Sequence, residues 1–314
     1  MQKSEISAKI IAQIKEKSDK NFKLVDDIAE LLEISNNAAY RRLNGAIDLT
    51  LDEADKLCEK FNISLGTSFC NTRKKACFDY FSLFGENYAQ SYATYLSALE
   101  GALKNTLAKN GTLWVAASDI PFGFVMRYPM LMAFKSFCWE KEMTQANTSF
   151  SLQHIAHKAQ FSAFDTLYSK INSTELWTTH TFSGFIELID FYKQLALVGN
   201  EELEILKKDL KDLLFEAETL AANGQKSNGG QFNLYIAPLN LPNTIFLHHV
   251  SEEEQISFLK MYSINSIWTS NPLYCREQKQ WFESMITSST LVSKNNPKER
   301  RAFFGELHKR VERL

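Results

Sequence analysis

The stretch Glu33-Ile34-Ser35-Asn36-Asn37-Ala38-Ala39-Tyr40-Arg41-Arg42-Leu43-Asn44-Gly45 puts two asparagines and two adjacent arginines on one short segment. Asn36 or Asn37 suits a helix N-cap, and Gly45 suits the position just past a helix end. The segment therefore reads as a helix over 38–43. Val25 to Leu32 before it has Ile28, Ala29 and Leu32 at helical spacing, and Ile34-Ser35-Asn36 reads as a short turn. Two helices joined by so short a turn form a helix-turn-helix, and the small Ala29 lets the second helix cross close to the first. The spacing places Tyr40 and Leu43 inward and leaves Asn37, Ala38, Arg41 and Arg42 outward.

The flanking sequence completes a small helical domain. Ile6, Ile10 and Ile14 recur on one helical face. Leu51 to Phe61 reads as a closing helix on Leu51, Ala54, Leu57, Cys58 and Phe61, capped by Thr50. Residues 1–70 hold 10 Lys and Arg against 12 Asp and Glu. That balance opposes strong nonspecific attraction to a polyanion, and it keeps open a helical protein-binding module that uses no DNA.

The segments Ile28–Ser35, Arg41-Arg42, Gly45 and "LDEADKLCEKFNIS" (Leu51–Ser64) resemble the lambda-repressor-like (Cro, xenobiotic-response-element) helix-turn-helix family. The resemblance implies a DNA-binding domain over 1–70 that contacts double-stranded DNA through Lys20, Lys23, Asn36, Asn37, Ala38, Arg41 and Arg42. Arginine pairs with guanine edges and asparagine with adenine, while the lysines suit phosphates. The chain departs from the family at Leu24-Val25, where Thr-Gln is usual, and at Glu33, where the turn has glycine. Glu33 there needs an unusual backbone or a shifted turn.

The chain of 314 residues has room for two domains. Residues 71–112 read as a linker and a connecting or dimerisation helix, its stripe running from Tyr88 to Leu107. Residues 113–314 read as a mixed α/β regulatory domain. Strands are expected at 113–119, 176–180, 231–236, 244–250 and 264–270. Helices are expected between them, including one opened by the capping box Ser251-Glu-Glu-Glu254. The expected fold class is an all-α helix-turn-helix domain followed by a larger, helix-rich mixed α/β domain. Leu203, Leu206, Leu210, Leu213, Ala217 and Leu220 form a short heptad seam that suits packing within the chain or a dimer.

"ASDIPFGFVMRYPMLMAFKSFCW" (Ala117–Trp139), "ELWTTHTFSGFIELIDFYK" (Glu175–Lys193) and "STLVSKNNPKERRAFFGEL" (Ser289–Leu307) resemble the C-terminal halves of predicted bacterial helix-turn-helix regulators. That likeness implies a one-chain regulator and names no ligand. The expected function is a dimeric transcriptional regulator whose larger domain dimerises and could sense an unidentified small-molecule effector. No phosphate loop, GxSxG, HExxH or GxGxxG occurs, so neither catalysis nor a cofactor is expected, although an enzyme fused to a DNA-binding domain stays a rival. His154 and His157 fall short of a metal site, which needs more ligands. Five scattered cysteines without a CxxC pair read as reduced thiols. No stretch has the length and apolarity of a membrane span, so a cytoplasmic protein is expected.

Overall fold

The computed structural model describes residues 5–18, 23–61, 63, 75–82, 88–144, 148–151, 158–262 and 265–314. The chain forms two compact units, Met1–Cys77 and Phe78–Leu314.

The first unit contains α1 (Glu5–Lys17), α2 (Leu24–Leu32), α3 (Asn36–Leu43) and α4 (Leu51–Lys60). Residues three or four apart on each helix meet in one apolar core: Ile10 and Ile14, Ile28 and Leu32, Ala39 and Leu43, Ala54 and Leu57. A reciprocal capping box opens α4. Thr50 Oγ1 accepts from the Glu53 N–H, and the Glu53 carboxylate accepts from the Thr50 N–H.

The second unit corrects the expected fold class. Its organising element is one large mixed sheet, eight-stranded among the described residues, ordered β1-β7-β6-β5-β2-β3-β4-β8. The strands are β1 (Asp79–Tyr80), β2 (Thr112–Ala117), β3 (Asn172–Trp177), β4 (Phe232–Ile236), β5 (Ile245–His249), β6 (Gln255–Met261), β7 (Asn265–Thr269) and β8 (Thr290–Leu291). β2, β3 and β4 run parallel, and the remaining pairings are antiparallel.

Three of these strands escape the sequence reading for physical reasons. β1 and β8 are two residues long and carry no period. β6 stands where Ser251-Glu-Glu-Glu254 predicts a helix. Ser251 Oγ does accept the Glu253 and Glu254 N–H groups at 3.3 and 3.1 Å. The same bonds that cap a helix here shape a tight turn, closed by Val250 N–H donating to Glu254 O at 3.1 Å.

Helices cover both faces of the sheet, and β2 shows the division at period two. Leu113, Val115 and Ala117 face the large core. Trp114 and Ala116 face a smaller one under Phe282 and Cys275 of α11 (Pro272–Thr287). The large core gathers α5 (Tyr88–Ala108), α6 (Phe122–Val125), α7 (Pro129–Thr144), α8 (Lys158–Tyr168), α9 (Ser183–Gln194), α10 (Asn200–Asn223) and α12 (Pro297–Glu312). α5, expected to connect or dimerise, buries Tyr92, Tyr95, Leu96 and Leu103 in this core. All six seam residues of α10 are buried there too, so the seam is used within the chain. Cys58, Cys138 and Cys275 are free and buried, whereas Cys77 is disulfide-bonded, which corrects the expectation of reduced thiols throughout. Among the described residues no helix is long and apolar enough to cross a membrane.

Candidate nucleic-acid interface

The turn between α2 and α3 rests on Glu33. Its backbone is left-handed, φ 55° and ψ 42°, a conformation that favours glycine. The strain closes the helix end: Ile34 N–H donates to Ala29 O at 3.0 Å and Glu33 N–H to Glu30 O at 3.2 Å, the two bonds of a Schellman ending. The glutamate thus occupies a conformation that glycine adopts at no steric cost. Replacing Glu33 with glycine is expected to stabilise the first unit by about 1 kcal/mol, because the left-handed penalty exceeds the added freedom of the unfolded chain. Amide hydrogen exchange across α2 and α3 measures it. Equal or weaker protection in the variant would show that Glu33 carries no strain.

Ser35 caps α3, accepting from the Ala38 N–H at 3.3 Å, rather than Asn36 or Asn37. Ala39 and Leu43 are buried, and Tyr40 is 57% exposed, which corrects the expected inward pair of Tyr40 and Leu43. The reason is space. Ala39 is buried in the same core as Ala29 of α2, and an alanine takes less room between packed helices than a tyrosine. At about 100° per residue, this register sets Arg41 opposite the core, with Asn37 and Asn44 beside it and Tyr40 and Arg42 on the flanks.

The seven expected DNA contacts therefore divide. Asn37, Arg41 and Lys23 are exposed, and Ala38 is half-buried. Lys20 lies outside the described residues. Asn36 is exposed but donates to Asp26 Oδ1 at 2.7 Å. Arg42 grips Glu53 with two bonds, Nε to Oε2 at 3.0 Å and Nη2 to Oε1 at 2.7 Å, and its Nη1 reaches Ala38 O at 3.3 Å. The Arg42 guanidinium holds the Glu53 carboxyl below its ordinary range against the opposing effect of burial. Arg42 thus ties α3 to the start of α4. Thr50-x-x-Glu53 marks the cap in the sequence, but nothing local marks the arginine that reaches it.

The second unit holds buried polar centres that serve the fold. His248 of β5 is buried, with Nδ1 2.9 Å from Thr106 Oγ1. That hydroxyl already donates to Ala102 O at 2.8 Å, so the imidazole donates to it. Burial pushes His248 down to about 4. The unfolded chain takes up this proton near pH 6.5. Stability from His248 is therefore full above about pH 6.5 and is lost as the pH falls towards 4, by about 2–3 kcal/mol. Unfolding free energies at pH 7 and pH 4.5 should show this loss in the native protein and a smaller one in His248→Leu. Equal losses would contradict a neutral buried imidazole.

His154 and His157 lie outside the described residues. Among the described residues no group of three His, Cys, Asp or Glu side chains is placed to hold a metal. Compared with protein-family models, curated proteins and solved structures, the chain finds no match.

Proposed function

We propose that the first unit binds double-stranded DNA through α3, and that the chain is a dimeric transcriptional regulator whose second unit receives a small effector. The outward face of α3 is the observation that supports this reading. Its helix start is free of acidic residues. Arg41 points away from the core with Asn37 one turn before it, the residue types that pair with guanine and adenine in the major groove. Lys23, exposed at the start of α2, would supply a phosphate contact. Arg42 drops out of the reading set, because its guanidinium is spent on Glu53.

Sequencing the genomic DNA fragments retained by the intact protein tests this. Enrichment of a common, twofold-related sequence supports the reading, and half-sites would lie about 34 Å apart or a multiple of that. A protein-binding module is the second reading. Tyr40 favours it, since an exposed tyrosine beside an arginine is a combination enriched at protein interfaces. Retention of random DNA only would favour that alternative.

A further inference from the structure

The chain leaves the sheet at the end of β2 through Ser118 and Asp119. A cleft of about 490 Å³ opens there. Its floor is an ion cluster assembled from three separate segments. Lys135 of α7 and Lys260 of β6 both donate to Asp119 Oδ2 at 2.6 Å. Asp119 Oδ1 accepts from the Ile120 N–H at 2.7 Å. Thr244 Oγ1 fixes the loop by accepting from the Ser118 and Asp119 N–H groups at 3.1 and 3.2 Å. Burial pushes the Asp119 carboxyl up, but the two lysines outweigh it and hold it at about 2.

The cluster is one negative charge short. Two ammonium groups, with three donors each, share a single carboxylate oxygen. Among the described residues neither ammonium has a second hydrogen-bond acceptor. Lys135 is only 8% exposed, so water satisfies little of it, and buried donors rarely go unmet. Both lysines line the cleft, where an arriving anion would supply acceptors and charge together.

The rest of the cleft describes the anion. Phe134, Cys138, Phe185 and Leu188 form an apolar wall, and Lys135 Nζ lies 5.8 Å from the Phe185 ring centroid. Glu142 lines the far end. It stands two helical turns beyond Lys135 on the same face of α7, about 10 Å along the axis, and it is exposed. The cleft therefore runs from cation through an apolar wall to anion.

We propose that this cleft binds medium-chain monocarboxylates, with the carboxylate on Lys135 and Lys260, the chain along Phe134, Phe185 and Leu188, and Glu142 excluding a second terminal carboxylate. The inference does not depend on whether α3 binds DNA.

Isothermal titration of the intact protein with octanoate, octanedioate and octanol tests it. Octanoate is expected to bind about tenfold or more tightly than either of the others, the scale of one charge-assisted hydrogen bond. Lys260→Met should weaken octanoate about tenfold. Glu142→Gln, a change at an exposed position, should leave octanoate within about twofold and bring octanedioate to within about threefold of it. Circular dichroism confirms that each variant is folded. The proposal is overturned if octanoate does not bind, if octanol binds as well as octanoate, or if Glu142→Gln leaves the preference against octanedioate unchanged.

Discussion

Replacing Glu175 with alanine is expected to destabilise the sheet unit by about 3–5 kcal/mol, the scale of breaking a buried charged network from one side. Glu175 sits on β3 with no exposed surface. Its carboxylate accepts from the Tyr168 hydroxyl, from Ser173 Oγ at 2.9 Å and from Trp177 Nε1 at 3.1 Å. Alanine leaves these buried donors without their acceptor, at about 1–3 kcal/mol for each one left unmet.

A second partner feels the change electrostatically. Lys226, also buried, donates to the carbonyls of Tyr168 and Ile171 at 3.1 Å each, at the end of α8, and lies 3.6 Å from the Tyr168 ring centroid. Burial pulls Lys226 down to about 7, against the charge of Glu175, which raises it. The folded state therefore binds fewer protons than the unfolded chain between about pH 7 and the ordinary lysine range, and stability rises with pH across that window. Without Glu175 the window opens at a lower pH. Denaturant unfolding followed by tryptophan fluorescence reads the second unit alone, because Trp114, Trp139, Trp177, Trp268 and Trp281 all lie in it. Glu175→Gln, which keeps an acceptor oxygen, should cost less than Glu175→Ala. A cost below about 1 kcal/mol for alanine would place these bonds at the value of ordinary exchangeable hydrogen bonds.

The two adjacent arginines of α3 are expected to part company under mutation. Arg41→Ala should weaken binding to a selected duplex about tenfold to a hundredfold, the 1–3 kcal/mol of one bidentate base contact, and leave the melting of the first unit almost unchanged. Arg42→Ala should destabilise that unit by about 1–3 kcal/mol, because it removes both bonds to a largely shielded Glu53 carboxylate. Its effect on DNA should follow the folded fraction. Adding Glu53→Gln to Arg42→Ala relieves the unpaired carboxylate and should recover part of the lost stability. Hydrogen exchange and DNA titration on the same samples separate the two roles.

Much of the first unit was legible because its helices are amphipathic and closely spaced, and because Ala29 and Gly45 punctuate them. Gly45 is left-handed past the end of α3, φ 65°, as its position predicts. The register of α3 differs from the expected one at one position, Ala39 in place of Tyr40. Tyrosine counts as apolar by periodicity, yet Ala39 takes the buried position and Tyr40 stays exposed. The Arg42–Glu53 pair joins residues on different helices and leaves no local pattern, so periodicity alone puts Arg42 in the outward set.

In the second unit the central strands announced themselves by apolar runs such as Leu113–Ala117. The edges did not, since two-residue strands have no period and Ser251–Glu254 uses helix-start chemistry to make a turn. The cleft was illegible for a different reason. Asp119, Lys135 and Lys260 are far apart in sequence, each ordinary alone, and only the return of β6 along the sheet sets the second lysine against the carboxylate.

Fluorescence anisotropy of the intact protein, on a duplex it has itself enriched from a random-sequence library, tests DNA binding through α3. Binding is expected to weaken as salt rises, by a shallow slope given the few outward cations, and to fall about tenfold or more in Arg41→Ala. Failure to enrich any duplex, or equal binding by Arg41→Ala at every salt concentration, would contradict it.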